Sequence, residues 1–173
     1  MPLTFHDAII PSNLQILRAV KTLVDKAAAF GEENGIAEVD VIDTRLVADM
    51  LPFGYQVLSC ADNSAGAIRG VEAGVFAPKI TTWPTTYAGL HRVIDAAIAD
   101  LEAVDAEAFD ALVDVETWFV AGETRIPFTG ASFLFSFAQP NFYFHAATAY
   151  DILRAQGATV GKSDFMGVMR SRR

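Results

Sequence analysis

Two polar residues four positions apart, Asn141 and His145, stand among Leu134, Phe142 and Ile152 on the last helical stretch of the chain. Spacing of i, i+4 places both side chains on one helix face, here the apolar one, a geometry by which two groups converge on one metal ion. A buried imidazole or amide left without a partner costs about 1–3 kcal/mol, so another polar side chain, water or a metal must satisfy them. An amide oxygen is a poor donor to zinc or nickel compared with imidazole, which makes a core histidine satisfied by hydrogen bonds the leading reading. Partners could come from an earlier stretch in which Asp49, Gln56 and Asn63 lie seven residues apart. On an unbroken helix that line points more than ~100° away from the apolar stripe, toward solvent, unless Pro52 turns Gln56 inward. His91 falls at the margin of another apolar stripe and reads as a half-buried packing residue, while His6 reads as surface.

Other chemistry is weaker. Gly157-Ala-Thr-Val-Gly161-Lys162-Ser163 imitates a phosphate-binding loop but has three residues between its glycines where four are needed, and it follows a helix rather than a strand. It reads as a solvated loop. No nucleophile–base–acid set is legible from spacing, because such groups meet only in three dimensions.

The elements that must hold these residues follow from composition and periodicity. With 173 residues, 52% hydrophobic, and a formal net charge of −8, the chain can bury roughly 70% of its unfolded surface as one domain, residues 1–173. The single cysteine, Cys60, excludes an internal disulfide framework and a multi-cysteine metal cage, and fits a cytoplasmic protein. No apolar run approaches a membrane span and the N-terminal residues lack the pattern of a signal peptide, so neither membrane insertion nor secretion is expected. The acidic balance argues against nucleic acid as a partner.

Apolar residues at helical spacing predict a first helix from Ile10 to near Gly31, with Thr4 to Ile10 as a turn or a kinked extension before Pro11. A second run, Val47 to Ile68, follows Asp43 and Thr44 as candidate caps and should kink at Pro52. Gly66, Gly70 and Gly74 within it either admit a neighbouring helix or mark fraying toward a C-cap. Tyr87 to Val104 is the cleanest stripe, capped by Thr85 or Thr86, and Asp105 caps a short helical turn, Ala106 to Leu112. Trp118 to Ala121 and Arg125 to Phe128 flank Gly122 as a small hairpin, with Pro127 confining its strand to an edge. Thr129 starts the last helix, bent by Pro140 and stopped by Gly157. Residues 157–173, basic through Lys162, Arg170, Arg172 and Arg173, read as a solvated and partly disordered C-terminal tail. The expected fold is all-α, a four-helix bundle with a small β-hairpin before the last helix.

The last helix resembles its counterpart in the DinB-like (YfiT-like) superfamily, with the same spacing from His145 through Leu153-Arg154 to Gly157. More closely, the chain resembles a bacterial branch of that superfamily known only as a domain of unknown function. The matching pieces are Asp49-Met50 with Pro52 and Gln56, Pro140-Asn-Phe-Tyr-Phe-His145, Thr148-Ala-Tyr150, Ile152-Leu-Arg154, and Gly161-Lys162 with Asp164-Phe165 and Gly167. The resemblance implies a four-helix bundle, commonly a homodimer. Better-studied relatives bind a divalent metal through three histidines, one on the second helix and a His-x-x-x-His pair on the last, and some transfer low-molecular-weight thiols. Here Asn141 stands in place of the first histidine of the pair, and Gln56 or Asp49 lies nearest the position on the second helix.

Asp49, Gln56, Asn141, His145 and Tyr150 are therefore the candidate pocket residues, and His145, with Asn141 and Gln56, is the candidate metal site. The weak donor set predicts no tightly bound cofactor, with zinc or nickel at most loosely held. The expected role is a homodimer that binds a small molecule or serves structurally. The alternative is a divergent metal-dependent enzyme of thiol-transferase or hydrolase type, with His145 as general base.

Overall fold

The computed structural model describes residues 3–78 and 82–171, and the chain is mostly helical. Helix α1 spans Phe5–Asn34. The Thr4 hydroxyl accepts from the Asp7 N–H at 3.0 Å and starts it, and Gly35, at φ 64°, ends it in the left-handed region. The helix is thus longer at both ends than periodicity predicts. Pro11 lies inside it without a break. The proline removes the donor that the Asp7 carbonyl would have received, but Asp7 is exposed, so water can replace it.

The second predicted helix is corrected. A short α2, Glu38–Ile42, is followed by an irregular loop, and helix begins again only at α3, Phe53–Ala61, with Pro52 as its N-cap. Neither Asp43 nor Thr44 starts a helix: Asp43 is the C-cap of α2 and accepts from the Trp83 indole, and the Thr44 hydroxyl donates to the Asp40 carbonyl. Pro52 disfavours helical backbone at Leu51, and the periodic Val47 and Leu51 are 52% and 38% exposed rather than packed. After α3 the chain passes through a π-helical turn, Asp62–Gly66, into α4, Ala67–Glu72. Gly70 does admit a close neighbour, but it is a strand: a Cβ there would lie 2.9 Å from that of Phe76. Gly74, at φ 70°, makes the turn that leads to it.

That strand, β1 (Val75–Phe76), was not expected. It runs parallel to β2 (Glu116–Ala121), which pairs antiparallel with β3 (Thr124–Thr129) through a turn at Gly122. The hairpin is therefore part of a mixed three-stranded sheet, and the fold is mostly helical rather than all-α. Two residues carry no alternation that a sequence could display. Pro127 lies on β3, at the sheet's edge, where its missing N–H breaks no ladder.

Helix α5, Tyr87–Glu102, is capped by Thr86, and α6, Ala106–Asp110, by Asp105. The last helical stretch opens at Thr129, whose hydroxyl and backbone exchange hydrogen bonds with Ser132. It consists of α7 (Gly130–Phe133), a π-helical turn (Leu134–Ala138) and α8 (Gln139–Ala155), ending before Gly157 at φ 92°. The widened turn lies immediately before Pro140, the residue that has no N–H to give the Ser136 carbonyl. Helix α1 packs on α5 and α8, and α3 packs on those same two, so the four enclose one core containing Leu17, Leu23, Phe53, Leu90, Phe142 and Ile152. Burying each such side chain contributes roughly 1.5–3 kcal/mol.

The C-terminal segment is the other correction. Ala158 and Val160 are buried, α9 (Lys162–Met166) packs along α1, and the Gln15 amide donates to the Met166 carbonyl at 2.8 Å. Lys26 reaches both the Thr159 carbonyl, at 3.1 Å, and Asp164, at 3.3 Å. Residues 157–171 thus form a docked strap, held by apolar and backbone contacts that a reading weighted on charge overlooks.

Gly130 shows how tightly the sheet meets the helices, since a Cβ there would lie 2.1 Å from the Leu112 carbonyl oxygen and 2.9 Å from Val71. Gly130→Ala is expected to lower stability by about 2–3 kcal/mol in urea unfolding. Gly66→Ala, whose Cβ would meet nothing closer than 3.6 Å, serves as the control and should leave the midpoint nearly unchanged.

Candidate functional site

Helix α8 and helix α3 each bring one polar side chain to their contact. His145 Nδ1 lies 2.7 Å from Gln56 Oε1, and the Gln56 amide nitrogen donates to the Leu51 carbonyl at 2.7 Å. The second bond decides the first. With its NH2 committed to Leu51, Gln56 must turn its oxygen to His145, so His145 carries its proton on Nδ1 and leaves Nε2 as a bare acceptor. Among the described residues nothing hydrogen-bonds to Nε2. The imidazole stands edge-on to Tyr55, with ring centroids 6.0 Å apart, and to Phe144 at 5.3 Å. Tyr55 in turn meets Trp83, whose indole N–H donates to Asp43.

Burial pushes the His145 pKa down from 6.5 to about 4, so the ring is neutral at physiological pH. Nearby aromatic surface adds no compensating charge. The site therefore presents an uncharged nitrogen lone pair in an aromatic frame.

The other candidates go elsewhere. Gln56 is 2% exposed, against the solvated face that the unbroken-helix wheel gives it. The wheel fails because α3 is packed by α1, α2, α5 and α8 and has no solvated side. Asp49 lies in the exposed loop before Pro52, no longer in helical line with Gln56, and no hydrogen bond ties it to Gln56 or His145. Asn63 donates to the Ser59 carbonyl one turn back. Asn141 and His145 are half-buried rather than fully inside, and Asn141 spends its NH2 on the Phe137 carbonyl at 2.8 Å instead of meeting its neighbour. Tyr150 faces Phe165 of the C-terminal strap, ring centroids 6.4 Å apart.

His91 is half-buried as expected, and its Nε2 lies 3.0 Å from Asp25. His6 is half-buried too, not surface, and stands edge-on to Phe109. In the loop that imitates a phosphate cradle, the Gly161 N–H is taken by the Asp164 carboxylate at 2.7 Å. An acid already occupies the position an anion would need. Sequence reasoning missed the Leu51 carbonyl, Tyr55 and Phe144, and the signal for the first was Pro52 read as a helix start rather than a kink.

Residues 5–166 match the family model described as Domain of unknown function (DUF1993). The chain belongs to that family. A crystal structure of a DinB family member protein from Shewanella denitrificans is similar to this DUF1993 chain at 29% identity, with a TM-score of 0.81 over 97% of this chain and 94% of that one. The fold of this DUF1993 protein is accordingly DinB-like. No curated protein matches it. No described helix is long and apolar enough to cross a membrane.

The low pKa of His145 has a direct consequence for stability. Because the folded state holds the ring neutral down to about 4 while the unfolded state protonates near 6.5, stability should fall as pH drops from 6.5 toward 4 and be independent of this group above 6.5. His145→Gln should remove on the order of 1–2 kcal/mol of that pH dependence, allowing for partial exposure of the ring. Urea unfolding of the two proteins at pH 4.5 and 7.5 measures the difference, and parallel pH profiles would show that His145 titrates normally.

Proposed function

We propose that this protein is a cytoplasmic, homodimeric four-helix bundle with a binding or structural role, in which a small pocket at His145 receives a neutral ligand through Nε2. The observation that carries the reading is the fixed pair of hydrogen bonds, the Gln56 amide nitrogen donating to the Leu51 carbonyl and His145 Nδ1 to the Gln56 oxygen, both 2.7 Å long. They pre-set one tautomer and aim one acceptor, which favours a ligand with a hydroxyl or amide N–H donor. Tyr55 and Phe144, the latter 55% exposed, offer apolar surface beside it for the ligand's body.

The residues present do not fit a divalent transition metal. A zinc or nickel centre takes three or more imidazole, thiolate or carboxylate donors. Here the Gln56 oxygen is occupied by His145, Asn141 has turned its amide onto its own helix, and Asp49 lies in an exposed loop. One imidazole nitrogen and one amide oxygen remain. The enzymatic alternative, with His145 as general base, is disfavoured for a related reason: a base with pKa near 4 has little proton affinity at neutral pH.

Protein purified without a histidine tag or chelator should contain less than about 0.1 equivalent of zinc or nickel, because binding through so few donors falls far below the ~10–16 kcal/mol of a complete structural zinc site. Elemental analysis decides it. Stoichiometric metal that disappears in His145→Ala would overturn the reading in favour of a metal enzyme. Light scattering should return twice the monomer mass, and a strictly monomeric mass at high concentration would remove the dimer from the proposal.

A further inference from the structure

A large cleft lies away from His145, between α1 and the C-terminal strap, with a volume of about 530 Å³. That is within the range of small-molecule sites, roughly 300–1,000 Å³. Its walls are mainly apolar: Pro11 and Ala19 from α1, Val168 and Met169 from the strap. Val168 is 89% exposed and Met169 63%, apolar surface that the folded chain leaves uncovered beside the opening. A second cleft of about 320 Å³ shares Pro11, Arg18 and Arg170 with the first, so the trough continues across α1 toward α5.

Charge gives the cleft a direction. Arg18, Lys21, Lys26 and Arg69 are each paired with a carboxylate. Arg170, at the junction of the two clefts, meets only neutral oxygens among the described residues: Ser12 Oγ at 3.0 Å and Gln15 Oε1 at 3.4 Å. Those two contacts hold the guanidinium in place without neutralising it. The remaining lining charges cancel locally, Arg18 against Glu102 and Asp164 against Lys26. Arg45, Arg125 and Arg154 likewise meet a carbonyl or a ring rather than a carboxylate, but Arg170 is the one of them that lines the apolar trough.

We propose that this cleft binds a small amphipathic monocarboxylate, its aliphatic or aryl body lying between α1 and the strap and its carboxylate received by Arg170. A planar guanidinium matches a carboxylate with two parallel N–H donors, and the bond is charge-assisted. The apolar walls exclude a small hydrophilic anion from benefiting equally, since it would gain nothing from Val168 and Met169.

Octanoate and its neutral counterpart octan-1-ol test this on the full chain by calorimetric titration, with far-UV circular dichroism to establish that each variant is folded. Octanoate should bind saturably and at least about tenfold more tightly than octanol. Arg170→Gln, a change at an exposed position, should lower octanoate affinity about tenfold and leave octanol unaffected. Thr22→Trp, which fills the cleft from the exposed side of α1, should abolish binding of both. Absence of saturable octanoate binding overturns the proposal, as does equal binding of the two probes, or an unchanged octanoate affinity in folded Arg170→Gln. His145→Gln should not affect octanoate binding, which keeps this outcome separate from that of the His145 site.

Discussion

The amide of Gln56 sits where almost no water reaches, on a helix walled in by α1, α2, α5 and α8, and the protein itself must answer both of its ends. The nitrogen end is answered locally. Pro52 starts α3, and the chain just before it is free of helical hydrogen bonding, so the Leu51 carbonyl can turn to meet the side chain five residues on. The oxygen end needs a donor from another element, and His145 of α8 supplies it. Losing either partner would leave a buried amide group unsatisfied, a penalty of about 1–3 kcal/mol. The register of α3 against α8, the loop before Pro52 and the tautomer of His145 are therefore coupled through one side chain.

Irregular backbone elsewhere serves close approach. Gly70 lets β1 run against α4, and Gly130 lets the start of the last helical stretch pass the Leu112 carbonyl, so the small sheet is pressed onto the helices. The rings of Phe76, Phe119, Phe133 and Phe137 fill the contact, with neighbouring centroids 4.7 to 6.5 Å apart. Offset and edge-on ring pairs are favoured over stacked faces, which gives this cluster a defined packing despite its irregular backbone. The strap closes the other side through α1, where Gly167 lies against Ala19 and Gln15 holds the Met166 carbonyl.

What could be read in advance follows the range of the interaction. Thr86, Asp105, Thr129 and Gly157 act within three or four residues, and each marks an element boundary in the structure as its type predicts. Pro127 on an edge strand is equally local. Gln56 is a tertiary case: a helical wheel assumes one solvated face, and α3, packed by α1, α2, α5 and α8, has none. Asp49 fails for the related reason that Val47, Met50 and Leu51 keep helical spacing in a segment that forms no helix. The strap fails because Ala158 and Val160 are too few to make a periodic signal, though they suffice to dock it. Likeness to a family placed Gln56 near His145 when periodicity alone did not.

Stability gives no reason for the residue pair itself. A neutral hydrogen bond inside a protein contributes a net ~0.5–1.5 kcal/mol, and apolar replacements of similar shape at both positions would be close to neutral. Serine or threonine at 145 could also donate to a buried oxygen without a second nitrogen, whereas an imidazole brings one that has no hydrogen-bond partner among the described residues. Asn141, by contrast, closes its amide nitrogen onto the Phe137 carbonyl of its own helix and does not meet His145. Within the Gln56–His145 pair, the atom left without a partner among the described residues is His145 Nε2, held by a fixed tautomer and bordered by Tyr55 and Phe144. A fold built only to pack would gain by eliminating that atom, and a site built to receive a donor would need it.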